Sequence, residues 1–149
     1  MSIDFMVFDP TSAPRDHRDF RSWYYEQTDW PDDYDHDPSI STPAIQSWYR
    51  QMVTHLPDAN TPGIDPAVID ERYGDYNFGK HVCYVAFQPD VANEAWARVR
   101  SVAAEEGLGT YDPNSDDERS GDSIRFPDSP AFAVAPVRGG MRSFFGKRR

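Results

Sequence analysis

Residues 81–107, HVCYVAFQPDVANEAWARVRSVAAEEG, constrain the fold of this chain more than any other stretch. From Val82 to Phe87 the run is almost unbroken in apolar, β-branched and aromatic residues, which predicts a strand covered on both faces. Pro89 and Asp90 stop that strand and open a helix, with the Asp90 carboxylate placed to accept its first free N–H groups. Ala92, Ala95, Trp96, Val99, Val102 and Ala103 then recur at steps of three and four residues, one apolar stripe along a helix, and Gly107 supplies a left-handed stop. A strand, a helix of this length and a further strand predict parallel neighbours joined by a right-handed crossover.

The flanking segments extend the pattern. IDFMVF (3–8) reads as the first strand. Thr11 or Ser12 is placed to cap a helix carrying Phe20, Trp23, Tyr24 and Gln27 on one side, with Pro14 tolerated in its first turn. Thr42–Pro43 starts a second helix, whose buried stripe is Ile45, Trp48, Met52 and Leu56. Residues 57–71 form a loop punctuated by Pro57, Pro62, Gly63 and Pro66. Residues 75–78 make a short strand, and Gly79 and Lys80 are either a tight turn or a bulge before the core strand. LGTYD (108–112) and SIRFP (123–127) are two further strands across a polar loop. The expected fold is α+β: a two-layer sandwich of a mixed sheet of about five strands with about three helices packed mainly on one face. It occupies residues 1–127 as a single domain, and residues 128–149 form a basic, flexible C-terminal tail.

A chain of 149 residues with 38% hydrophobic content still builds a core here, because 14% of it is aromatic and each ring buries a large area. No apolar run reaches membrane-spanning length and no signal-peptide pattern opens the chain, so a cytoplasmic protein is expected. The single cysteine, Cys83, fits a reducing compartment.

The net charge of −10 argues against direct nucleic-acid binding, which needs a basic face. From Ser129 onward the chain holds Arg138, Arg142, Lys147, Arg148 and Arg149 without an acid, so the body up to Asp128 carries about −15. Such a body favours basic partners, or solubility alone.

Two loops are candidate sites. In DWPDDYDHDP (29–38), aspartates interleave with large, stiff aromatic residues, a mixture suited to a basic protein surface: aromatics anchor an interface and charges steer the encounter. Trp30, Asp32, Asp33, Tyr34, Asp35 and Asp37 form this first partner-binding surface. Tyr111, Asp112, Asp116, Asp117 and Glu118 form the second. Asp33, Asp35 and Asp37 match the first ligands of a calcium loop, but Pro38 stands at the turn-glycine position and Ala44 at the bidentate glutamate position. Asp112, Asn114 and Asp116 repeat the partial match with Asp117 and Ser123 at those positions. A solvated acidic loop is the better reading of each, and no metal or cofactor is expected. His81 and Cys83 stand two apart on the core strand, and nothing nearby completes a metal or nucleophile arrangement. The chain has no Gly-rich phosphate loop, G-x-S-x-G or H-E-x-x-H motif, so no catalytic residues are assigned.

Taken together, FMVFDP, APRDHRDFRSWYYEQTDW, TPAIQSWY, YNFGKHVCYVAF, EEGLGTYDP and IRFP resemble a family of small soluble bacterial proteins associated with immunity to toxins delivered between competing bacteria. The resemblance spans residues 3–127. It implies a non-catalytic inhibitor that binds a cognate toxin directly and occludes an active site with a basic surface. It assigns no individual residues and leaves the tail unexplained. Two alternatives stay open. One is an adaptor held at an anionic membrane or partner by its basic tail. The other is a small enzyme using the carboxylates with a divalent metal.

Overall fold

Alternation along the first strand decides the architecture. In β1 (Ile3–Phe8), Phe5 and Val7 point into one core while Met6 and Phe8 point into another, so both faces of this strand are covered. The computed structural model describes residues 2–115 and 123–128. Within them, β1 lies at the centre of a five-stranded sheet with β2 (Asp75–Phe78), β3 (Val82–Phe87), β4 (Gly109–Tyr111) and β5 (Ile124–Arg125), in the order β2-β3-β1-β4-β5. Ile3 pairs with Phe87 and Phe8 with Val82 on one side of β1; Met6 pairs with Tyr111 on the other.

The α+β class with five strands and three helices is as expected, but the sheet is not mixed: each of its four ladders is antiparallel. The expected parallel pairing of the strands around the long helix fails for a specific reason. β3 and β4 do run in the same direction, yet β1 lies between them and pairs antiparallel with both. A strand apolar on both sides is best buried in the middle of a sheet, and IDFMVF takes that place.

Three helices cover the sheet. α2 (Pro43–Met52) and α3 (Ala92–Glu106) bury Ile45, Trp48, Met52, Ala95, Val99, Val102 and Ala103 against the face formed by Phe5, Val7, Tyr76, Phe78, Cys83, Val85 and Phe87. The Trp48 indole N–H donates to the Val99 carbonyl at 3.3 Å, tying α2 to α3 within that core. α1 (His17–Gln27) covers the other face, where Phe20 and Tyr24 join Met6, Phe8, Val82, Tyr111, Ile124 and Phe126. Two helices therefore lie on one face and one on the other.

Local sequence signals mark some helix ends and not others. Gly107 ends α3 at φ 71°, and Thr42 and Pro43 open α2. Asp90, however, lies inside a short 3-10 turn (Pro89–Val91); Val91 precedes α3, which has no side-chain cap. The cap of α1 is Asp16, which accepts from the N–H groups of Arg18 and Asp19, in place of Thr11 or Ser12. Those two hydroxyls instead bond the Asp9 carboxylate, closing the turn after β1. Gly79 and Lys80 form a turn between β2 and β3, with the Gly79 N–H donating to Val82.

Among the described residues no helix is long and apolar enough to cross a membrane. Asp128 is the last described residue, and both of its carboxylate oxygens accept from Arg15 Nη2 at 3.0 Å. The basic segment assigned to the tail beyond it lies outside the described residues.

Candidate partner-binding surface

The loop 29–38 has an inner and an outer side. Its aromatic residues point inward. Trp30 stacks on Tyr34, with ring centroids 5.1 Å apart, and packs against the core beneath α1. Tyr34 in turn meets the His36 ring at 4.5 Å. The aspartates point outward: Asp32, Asp33, Asp35 and Asp37 are all exposed. The sequence places aromatic and acidic residues on one contact surface; the structure separates them, using Trp30 and Tyr34 to hold the loop and leaving the carboxylates in water.

What the inner side holds is the edge of the sheet. β2 is an outermost strand, and an unpaired edge carries backbone groups that attract further strands. Here side chains occupy them. The Phe78 N–H donates to the Tyr34 phenol oxygen, and the Tyr76 carbonyl accepts from His36 Nδ1 at 3.3 Å and from the Asn60 amide at 3.2 Å. A carbonyl only accepts, so the His36 contact requires a proton on Nδ1. Just past the strand, Ser41 Oγ donates to the Gly79 carbonyl at 2.6 Å and the Thr42 N–H to Lys80. His36 adopts φ 60°, a left-handed conformation open to histidine at a modest penalty, and its two ring contacts stabilise it there. Burial pushes the Tyr34 phenol up to about 12.

The outer side is shaped by turns. Asp35 accepts from the Asp37 N–H at 3.3 Å, and Asp37 accepts from Ser39 at 2.9 Å, capping a short 3-10 turn (Pro38–Ile40). The hydrogen bond from the Ser39 backbone holds the Asp37 carboxyl below its ordinary range. Four carboxylates within six residues make a local negative field that is strong within a Debye length of about 8 Å.

Behind the β2 edge is a buried carboxylate that the sequence did not signal. Asp58 is 4% exposed. It accepts from the Tyr49 hydroxyl at 2.6 Å, from the Asn60 N–H at 2.8 Å and from the Tyr76 backbone. Burial raises its pKa above the usual carboxylate value, and the three hydrogen bonds only partly offset that. Tyr49 is pushed up by burial and by the same carboxylate. A single aspartate in a Pro- and Gly-rich loop has no distinguishing pattern; only the fold brings it under β2.

The second predicted surface is changed more. Tyr111 is 2% exposed and packs edge-on against Phe20 at 5.1 Å and Tyr24 at 4.9 Å, so its ring belongs to the core and not to a contact surface. Asp112 caps a 3-10 turn (Pro113–Ser115), accepting from the Asn114 N–H, the Asn114 amide and Ser115 Oγ. The Asn114 side chain also bonds both backbone groups of Asp4, extending the pairing of β1. Asp116, Asp117 and Glu118 lie outside the described residues. Among the described residues, no three His, Cys, Asp or Glu side chains gather to hold a metal ion.

His81 and Cys83 face different surroundings. Cys83 is wholly buried beneath α2 and α3. His81 Nδ1 lies 3.1 Å from Ser12 Oγ and 3.6 Å from Asp9 Oδ2. A serine, a histidine and an aspartate thus meet, but both oxygens approach the same ring nitrogen. Nucleophilic catalysis needs the serine and the acid on opposite nitrogens, so this cluster closes a turn and does not activate a hydroxyl.

Comparison with protein-family profiles, curated proteins and solved structures gave no match for this chain. Fold and surface together define a small α+β domain that presents a pinned acidic loop at a sealed sheet edge.

Proposed function

We propose that this protein acts by binding another protein, as an inhibitor whose acidic loop docks on a basic surface of its partner. The observation that supports this is the two-sided build of residues 29–38: Trp30, Tyr34 and His36 fasten the loop to β2, while Asp32, Asp33, Asp35 and Asp37 stay exposed. Fastening lowers the ordering penalty of binding, and clustered charge accelerates encounter with a basic cleft. A toxin acting on an anionic substrate has such a cleft, so the reading accords with an immunity protein that occludes a cognate toxin's active site.

The test is affinity capture with the tagged protein from its native cells, followed by binding kinetics with the captured partner. Paired substitutions Asp32→Lys and Asp33→Lys are expected to slow association at least tenfold at low salt while leaving the thermal midpoint unchanged, since both side chains are exposed. Unchanged association kinetics, or a complex in which the loop makes no contact, would overturn the proposal.

A further inference from the structure

Between α2 and α3, away from the acidic loop, the surface opens into a groove of about 350 Å³. Ser47 and Arg50 of α2, His55 just beyond it, and Arg98, Ser101 and Glu105 of α3 line this groove. On a chain with a net charge of −10, two arginines face this space against a single lining glutamate, with Glu94 close enough to act on Arg98.

The carboxylates beside it are already engaged. Glu106 accepts from Ser47 Oγ at 2.9 Å and from the Gln51 amide. Glu94 is held by the fork of Arg72, at 3.1 and 2.7 Å. Arg98 differs from Arg72: its Nε is buried and has no hydrogen-bond partner among the described residues. A guanidinium N–H withdrawn from water without an acceptor is unfavourable, so the Arg98 side chain would gain by turning that N–H toward an anion bound in the groove. Guanidinium groups favour planar or multidentate oxyanions over point charges such as chloride.

We propose that the groove binds a small multivalent oxyanion, with Arg98 and Arg50 as the residues that contact its oxygens. The chemistry suits either a phosphoryl group or a polycarboxylate. This site is independent of the acidic loop, and neither assignment needs the other.

Thermal unfolding and isothermal titration of the full chain, with inorganic phosphate and with citrate against sodium chloride at matched ionic strength, test it. One of the two anions is expected to raise the midpoint by a few degrees beyond chloride. A response to phosphate alone assigns a phosphoryl ligand, and a response to citrate alone assigns a carboxylate. Arg98→Gln and Arg50→Gln are each expected to weaken binding about tenfold, and Lys80→Gln to leave it unchanged. No response to either anion beyond chloride, or a response that survives both substitutions, would overturn the proposal. Should Arg98→Gln fail to fold, the exposed Arg50→Gln and the Arg98 Nε–H resonance of the unaltered protein decide it. That resonance must move on titration if the proposal is right.

Discussion

The phenol oxygen of Tyr34 accepts the backbone N–H of Phe78, so a side chain of the acidic loop takes the position a neighbouring strand would fill on β2. Tyr34→Phe keeps the stacking on Trp30 and removes the acceptor. The N–H left behind is sheltered, and we expect a loss of about 1–3 kcal/mol in urea unfolding. The Phe78 amide should exchange with solvent markedly faster than in the unaltered protein. Unaltered protection of that amide would show that the bond does not seal the edge.

Asp58 sets a pH dependence of unusual sign. Its folded value is raised by burial, so the native state binds its proton more tightly than the unfolded chain does. The stabilisation is therefore complete below the unfolded value near 4 and is lost as pH rises through the raised folded value. Asp58→Asn removes this titration. Relative to the unaltered protein, the variant should improve as urea midpoints are taken upward from pH 4, levelling off once pH has passed the raised folded value. A difference between the two that stays flat across that range would contradict the assignment.

Gly109 allows β4 to lie against the Phe8 ring. A Cβ at that position would come within 2.2 Å of Phe8 Cζ, and Phe8 is fully buried between Phe20 and Phe126. Gly109→Ala is expected to destabilise by about 1–3 kcal/mol through overpacking. Calorimetry with Phe8→Leu added should recover part of the loss, because the smaller side chain restores room. No recovery in the double variant would place the strain elsewhere.

Cys83 should be chemically silent in the native protein. It is wholly buried, and burial pushes its thiol well above the ordinary value, whereas the thiolate is the reactive form. Alkylation at neutral pH should proceed only at the rate of opening, measured in parallel by amide exchange of β3. Fast modification of folded protein would show access that the packing does not provide.

The sequence was most legible where one residue pattern answers to one local geometry. The apolar runs at 3–8 and 82–87, the stripe from Ala95 to Ala103 and the stop at Gly107 all fall within the elements they predicted. Sheet order was not legible, because a strand–helix–strand segment looks the same whether its strands adjoin or flank a third. Only the position of β1, set by contacts far along the chain, distinguishes the two. The candidate surface was half legible for a related reason. Composition shows that residues 29–38 hold both rings and carboxylates, but the direction of Trp30 and Tyr34 depends on an edge strand more than 40 residues away. Asp58 is placed by Tyr76 of β2 as well as by Tyr49 and Asn60, and the Arg98 groove is made by two helices far apart in sequence, so neither left a local trace.

The central place of β1 also bears on how the chain is made. Its two partners are β3 and β4, so during synthesis this strand finds its first neighbour only after Phe87 and its second only after Tyr111. Until then an apolar hexapeptide of high strand propensity waits without a mate, the kind of segment that chaperones hold and that aggregates when they do not. Emergence of β3 and β4, and not of β1 itself, is then the step at which the centre of this sheet can close.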